Sequence, residues 1–327
     1  MNISGRGALA TLIALLACAP AAVAAGSTPS PATPMVGAER LAAPKVGHRV
    51  VWDHYRRGVK GIHLRSARVD GTGVRRIYDL PKGFTTSLTM DGAGRRVAFA
   101  TCCSDRLPQL VVAPVRGGKP IEPLARHPHL VAVGGIGWSH DGRRLAFEAV
   151  SERNGERVHG IWTVRLDGRE LTQVLVLPSP DEHHQVVIND ALGWTRDGIL
   201  YSDGTNLRSA RAGHSKLVLR NVRSVRITGD HRRIVIERRR GERSSTWIAA
   251  ADGGHARRLL SNGKPGVTTI YHDVTPNRDG TELLAYRARP TADGPDDTDV
   301  IVWSVGRKVR SATELPVVAG NPTVTWN

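Results

Sequence analysis

Cysteine is scarce in this chain, and the few cysteines present cannot hold a fold together. Only three occur in 327 residues, at Cys18, Cys102 and Cys103. Cys18 lies in an apolar segment near the amino terminus, so a chain processed after residue 25 keeps only the adjacent pair. Neighbouring residues on a strand point to opposite faces, and this pair therefore joins no distant segments. Two interpretations stay open for it, a vicinal disulfide in an exported protein or two half-buried thiols.

Long hydrophobic runs are also missing. The apolar stretch 8–19 is too short to span a bilayer. It follows Arg6 and precedes a triplet of small residues at 23–25, which predicts an export signal over residues 1–25. Residues 26–45, rich in proline, serine and alanine, read as a flexible linker. We expect a bacterial protein that is secreted or held in the cell envelope, with lipoprotein anchoring at Cys18 as the alternative to free secretion.

Acidic residues are outnumbered, and lysine is rare among the basic ones. The formal charge is +16, and seven of the 46 basic residues are lysines. One interpretation is attraction to an anionic surface, and the other is the arginine-rich codon usage of a GC-rich genome. The arginines are spread along the whole chain, which argues against a nucleic-acid groove.

Helical periodicity is absent after the linker, and so are phosphate-loop, zinc-peptidase and dinucleotide motifs. A repeat is present instead. A short apolar triplet recurs six times, mostly after an Asp-Gly or Gly-Asp turn, and Asp-Gly between apolar runs is a strong β-hairpin signal. The triplets are Val50-Val51-Trp52, Val97-Ala98-Phe99, Leu145-Ala146-Phe147, Ile199-Leu200-Tyr201, Ile234-Val235-Ile236 and Leu284-Ala285-Tyr286.

Each triplet is followed by two further short strands. Four strands in each of about six units predict an all-β, six-bladed β-propeller of four-stranded antiparallel blades over residues 46–327. The last residues resemble the strand that precedes each hairpin. We therefore expect the strand holding Trp326 to pair with the strand holding Val50 and Val51, which closes the ring and removes exposed edges. The tryptophans, at equivalent positions of the repeat, are expected to pack between blades.

The repeat resembles those of TolB-like six-bladed propellers, which are WD-like repeats. The motif runs Ser139-x-Asp141-Gly142 and then two arginines and Leu-Ala-Phe, with variants at 195–198 and 275–280. His140 and Arg196 replace the proline usual in that family, and the fifth unit keeps only Gly229-Asp230. Ser139 does not fit a nucleophile elbow, which needs glycine two residues after the serine and a following helix.

Several histidines are candidates for a ligand site. We expect their segments to precede the innermost strands of their blades, where side chains distant in sequence gather around the channel mouth. Oligogalacturonate lyases, which use a TolB-like propeller, imply a transition-metal site there, whereas solvated loop histidines are the alternative. The candidate ligand-binding residues are His129, His183, His184, Gln185, His272 and Asp273, and the metal candidates among the histidines are His129, His184 and His272.

An acidic segment at 293–299 is the second candidate metal site. Asp296, Asp297 and Asp299 could bring carboxylate oxygens to Ca²⁺, as extracellular modules do. The segment lacks the EF-hand order of ligands, so a solvated turn is the alternative. No other cofactor is expected.

The functional prediction is an exported, non-catalytic binding or scaffold propeller, monomeric, that docks a protein partner or an anionic envelope polymer on one face of the ring. The resemblance to TolB implies protein docking, but fold alone does not define function. The alternative is a carbohydrate-active enzyme, such as a lyase of an acidic polysaccharide with a histidine metal site at the channel mouth.

Overall fold

The computed structural model describes eleven stretches of the chain, all within the unit Ala43–Asn327. They are residues 49–55, 62–80, 83–102, 109–153, 156–178, 192–241, 243–262, 270–289, 297–305, 309–314 and 324–326.

Every regular element in these stretches is a β-strand. The strands are β1 (Arg49–Tyr55), β2 (Ile62–Arg68), β3 (Arg75–Leu80), β4 (Phe84–Met90), β5 (Arg96–Cys102), β6 (Leu110–Pro114), β7 (Leu130–Trp138), β8 (Arg144–Arg153), β9 (Glu156–Arg165), β10 (Thr172–Val176), β11 (Gly193–Thr195), β12 (Gly198–Ser202), β13 (Asn206–Arg211), β14 (His214–Arg220), β15 (Ser224–Ile227), β16 (Arg233–Arg240), β17 (Arg243–Ala250), β18 (Arg257–Ser261), β19 (Ile270–Pro276), β20 (Glu282–Arg289), β21 (Asp297–Val305), β22 (Val309–Glu314) and β23 (Val324–Trp326).

These strands form six antiparallel sheets, which are the blades of a propeller. Blade 1 is β23-β1-β2-β3, and the next blades along the chain are β4 to β6, β7 to β10, β11 to β14, β15 to β18 and β19 to β22. All six apolar triplets lie in the second strand of their blade, which confirms the predicted repeat. No helix in the described stretches is long and apolar enough to cross a membrane.

Blade 2 departs from the predicted four strands. Its fourth strand is reduced to one bridge, in which Val112 and Ile121 exchange backbone hydrogen bonds of 2.9 Å. Pro120 and Pro123 flank Ile121 closely, and proline has no N–H to donate to a strand ladder. A regular fourth strand therefore cannot form at this place.

The ring closes through the carboxyl-terminal strand, as predicted. β23 pairs antiparallel with β1, with Val50 opposite Trp326, Val51 opposite Thr325 and Trp52 opposite Val324. The innermost strands then contact one another in a complete cycle, from β23 through β4, β7, β11, β15 and β19 back to β23. Because each inner strand touches both neighbours, no blade presents an open inner edge.

The hydrophobic core lies between neighbouring blades. Alternate residues of a triplet face opposite sides: Val97 and Phe99 pack toward blade 1, and Ala98 packs toward blade 3. Trp52 and Trp138 are buried, and Trp162, Trp194 and Trp247 are half-buried against these clusters. The structural interpretation of the tryptophans is therefore confirmed at these five positions, while the side chains of Trp303 and Trp326 lie outside the described residues.

Candidate functional site

The turns that join the first and second strands of blades 2 to 6 meet at one end of the ring. We call this end the hairpin face and define it by residues 91–95, 139–143, 195–197, 228–232 and 277–280. Contacts between blades place these turns together. The Asp230 backbone N–H donates to the carbonyl of Arg278 at 2.8 Å, and the indole Nε1 of Trp138 donates to the carbonyl of Thr89 at 3.2 Å.

In two of these turns, a serine or threonine hydroxyl hydrogen-bonds to an aspartate and to a backbone N–H of the same turn. We call this arrangement the lock of the turn. The Ser139 hydroxyl donates to Asp141 Oδ1 at 2.7 Å and accepts from the Arg144 N–H at 2.9 Å. Hydrogen bonds from the Arg143 N–H and from Ser139 hold the pKa of the Asp141 carboxyl below its usual value. The hydroxyl of Ser139 therefore serves the turn and is not placed as a nucleophile.

Two turns correct the repeat alignment made from sequence. In blade 5, Thr228 donates to Asp230 at 2.6 Å and accepts from the Arg233 N–H at 3.0 Å, so this unit keeps the complete lock and not only Gly229-Asp230. In blade 6, Asn277 and not Thr275 takes the place of Ser139, because its Oδ1 accepts from the Glu282 N–H at 3.1 Å. The sequence signal for the lock in blade 5 was a threonine, Thr228, two residues before the aspartate.

Blade 2 uses a buried ion pair for the same purpose. Asp91 is 2% exposed, and its carboxylate accepts from the Arg95 N–H at 2.7 Å and from Arg96 Nε at 2.9 Å. The Arg96 guanidinium also donates to the carbonyl of Gly142 at 2.8 Å and lies 5.0 Å from the ring centre of Trp138. This arginine therefore ties the turns of blades 2 and 3 together.

Two glycines bring opposite sides of the ring into contact. A Cβ added at Gly92 would lie 2.3 Å from the carbonyl oxygen of Gly229, and one added at Gly229 would lie 3.2 Å from the Cα of Gly92. The space enclosed behind them is about 40 Å³, which holds a few waters and is far below the roughly 300 Å³ of a small-ligand pocket. Ligands at this mouth therefore meet a closed surface.

We expect Gly92→Ala to destabilise the protein. The added methyl group meets backbone that cannot move aside without shifting a second turn, and overpacking of this kind costs about 1–3 kcal/mol. Thermal unfolding followed by circular dichroism should show a lower melting temperature. Gly254→Ala is the matched control, because its Cβ would meet only the side chain of Asp252, at 3.1 Å, and no backbone. Equal melting temperatures for the two variants would contradict the close approach.

Arginine side chains surround this closed mouth. Arg95, Arg143 and Arg232 are equivalent, because each directly precedes the second strand of its blade and its carbonyl accepts a hydrogen bond from the N–H of the residue directly after the third strand. All three are exposed, and so are Arg196 and Arg278 in the other two turns. The locking aspartates of blades 3 and 5 accept from backbone N–H groups of the same turns. The hairpin face therefore presents guanidinium groups from five blades.

Two histidines that the sequence analysis did not select meet on the hairpin face. The rings of His140 and His231 have centroids 5.3 Å apart and are tilted by 52°. The Nδ1 atom of His231 lies 2.6 Å from the carbonyl oxygen of Trp194. Burial lowers the pKa of His231, and the nearby His140 lowers it further, so the imidazole is neutral at neutral pH.

Backbone geometry also marks His231. It adopts φ +59° at the turn position where glycines stand in blades 2, 3 and 6, at φ +64°, +64° and +66°. A side chain in this left-handed region costs about 1 kcal/mol or more, and such outliers concentrate at functional sites. The sequence signal was visible, since His231 interrupts an otherwise regular glycine position.

The histidines selected from sequence are less well defined. His129 is exposed, with its ring 6.1 Å from that of His127, whose Nε2 lies 2.8 Å from the carbonyl oxygen of Gly168. His272 and Asp273 lie within β19 and not before it, which corrects their expected position. Asp273 is an exposed residue at a bulge with φ +52°. Ser87 and Gly135 occupy the equivalent bulges of blades 2 and 3.

Several candidate residues lie outside the part of the chain that the structure describes. His183, His184, Gln185 and Asp296 lie outside the described residues, as does Cys103. The side chains of His272, Asp297 and Asp299 do too, although the backbones of the two aspartates begin β21 and pair with Arg289 and Arg287. Within the described stretches, no three His, Cys, Asp or Glu side chains converge as a metal site would require. Both metal hypotheses stay predictions.

Comparison with solved structures places the fold among known propellers. No family model matches the sequence, and no curated protein does. TolB from Acinetobacter baumannii superposes with a TM-score of 0.59 at 13% identity, over 85% of this chain and 66% of that one. A chain of the nidogen/laminin complex gives 0.56 at 12% identity, over 86% of this chain and 98% of that one.

An enzyme is also among the similar structures. Acylaminoacyl peptidase from Pyrococcus horikoshii gives a TM-score of 0.52 at 13% identity, over 84% of this chain and 44% of that one. This chain therefore spans less than half of the peptidase and about two thirds of TolB. At these identities the likeness concerns the fold: the chain is a six-bladed β-propeller similar to those of TolB and other propeller proteins.

Proposed function

We propose that this protein is an exported binding propeller that docks an acidic protein partner on its hairpin face. The observation that carries this proposal is the placement of exposed arginines from five blades around one closed mouth. Exposed arginines bind carboxylates through paired hydrogen bonds and speed association with acidic partners, and they do so here beside the exposed Asp141, Asp197 and Asp279 of the same turns. The export signal predicted at residues 1–25 would place that partner in the cell envelope.

Two features of the hairpin face suit it to docking. Its turns are held by side-chain hydrogen bonds, such as Ser139 to Asp141 and Thr228 to Asp230, so a partner meets a surface that needs little ordering. Its mouth is closed by Gly92 and Gly229, so a partner contacts the rim and not a deep cavity. A propeller of this fold occurs in a protein complex in the nidogen/laminin structure.

Charge reversal on the hairpin face tests the proposal. The variant Arg95→Glu, Arg143→Glu, Arg232→Glu removes the three equivalent arginines. Arg239→Glu, Arg240→Glu, Arg243→Glu is the matched control, since these arginines are exposed at the connection between β16 and β17, at the other ends of those strands. Partners captured from envelope extract with the wild-type protein would be identified, and their affinity for each form measured at two salt concentrations.

We expect the hairpin-face variant to bind at least about tenfold more weakly, mainly through a slower association rate. The control variant should bind like wild type, and the wild-type affinity should fall as salt rises, because exposed charges are screened. Equal losses of affinity in both variants would mean that the effect comes from the net charge of the protein and not from the hairpin face. Unchanged affinity of the hairpin-face variant would contradict the proposal. Retention on anionic polysaccharide alone, with no protein captured, would move the assignment to an envelope polymer.

A further inference from the structure

We infer that His140 and His231 form a binding site for a divalent transition-metal ion, of the zinc, copper and nickel class, that bridges blades 3 and 5. Both residues lie in locked turns, at 139–142 and 228–231, so the distance between them is set by the fold. Neither residue is among the histidine candidates named from the sequence, which are His129, His184 and His272.

The separation of the two rings suits a shared metal ion. A ring nitrogen coordinates zinc at about 2.0–2.1 Å, which puts the metal about 3.2 Å from the ring centroid. Two rings at a tetrahedral angle then have centroids about 5.2 Å apart. The observed separation is 5.3 Å. The two rings are tilted by 52° and do not stack face to face.

The contacts of His231 prepare it as a ligand. Its Nδ1 lies 2.6 Å from the Trp194 carbonyl oxygen, which fixes the proton on Nδ1 and leaves Nε2 as the coordinating atom. Metal-binding histidines commonly have their other ring nitrogen held by a carbonyl in this way. Imidazole ligands favour zinc, copper and nickel over calcium and magnesium, and solvent completes the coordination.

The backbone of His231 provides a second argument. Blades 2, 3 and 6 place glycine at this left-handed position, and blade 5 places histidine there at φ +59°. Glycine forms the same turn without that conformational cost, so the histidine side chain has a role beyond the turn. The hydrogen bond of its Nδ1 to Trp194 is one such role, and metal coordination by Nε2 is a second that the same ring can serve.

The test uses the mature chain without a polyhistidine tag, titrated with Zn²⁺ and with Ni²⁺ in a calorimeter at neutral pH. We expect one ion per chain and a rise in melting temperature that chelator reverses. His140→Ala and His231→Gly should each weaken binding at least about tenfold. The glycine variant keeps the turn that blades 2, 3 and 6 form, so it is expected to fold.

Two controls and one spectrum make the outcome decisive. His255→Gly replaces an exposed histidine that also has a positive φ, and His214→Ala replaces an exposed histidine on β14; both should bind like wild type. With Cu²⁺, electron paramagnetic resonance of the wild type should show coupling to two imidazole nitrogens, and His140→Ala should remove one. Unchanged binding in His140→Ala and His231→Gly, or loss of binding in His214→Ala, would overturn the assignment.

Discussion

A chain that stops at residue 323 is expected to lose ring closure. It lacks β23, which supplies the inner strand of blade 1 and contacts β4 and β19 on either side. Its removal leaves the edge of β1 unpaired and exposes Val50 and Val51, which are 2% and 0% exposed in the intact ring. We expect a loss of about 4 kcal/mol or more, which at this size lowers the melting temperature by roughly 10 °C.

The measurement is thermal unfolding together with size-exclusion chromatography, since an unpaired inner edge invites association between chains. A chain that ends at Trp326 is the control and should melt like the full chain. A truncated chain that stays monomeric and melts at the wild-type temperature would show that blade 1 is complete without β23.

Replacing Glu148 by alanine should strongly destabilise the protein. Glu148 lies on β8 at 0% exposure, and its Oε1 is 2.8 Å from Nε2 of His159, which is 4% exposed on β9. The pair faces blade 4, as does the neighbouring Ile161. Removing one partner leaves the other buried without its counterpart, which costs about 3–5 kcal/mol.

The double variant Glu148→Leu, His159→Phe separates pairing from burial. An apolar pair of similar volume removes both polar groups together, so stability should return to within about 1–2 kcal/mol of wild type. Glu170→Ala is the exposed control: it loses ion pairs with Arg144 and Arg165 at the surface and should change stability little. Urea unfolding would measure all four proteins, and a double variant as unstable as Glu148→Ala would contradict the interpretation.

The fold was predictable because its signals are local. Asp-Gly turns and alternating apolar triplets act through hairpin chemistry and through the period of a strand, and both are readable along the chain. The shortened edge of blade 2 was also readable, in Pro120 and Pro123. The left-handed bulges at Ser87 and Asp273 were not, because they arise where inner strands pack around a shared axis and no sequence period marks them.

The hairpin-face site was only partly predictable. Arginine appeared scattered along the chain, yet Arg95, Arg143 and Arg232 occupy one repeat position, which the alignment of turns in space makes evident. The meeting of His140 with His231 depends on contact between blades 3 and 5 across blade 4. Residues of one turn are close together because they are close in sequence. Residues of different turns are brought together only by the assembly of the blades into a ring. The approach of Gly92 to Gly229 has the same origin.

Amide hydrogen exchange at β23 and β1 tests ring closure most directly, because every site considered above depends on it. Val324, Thr325 and Trp326 pair with β1, so the amides of β23 should exchange as slowly as those of β1 and β2. The opening free energies of the three strands should be similar. Exchange of the 324–326 amides at the rate of an unstructured peptide, while β2 stays protected, would contradict a closed six-bladed ring.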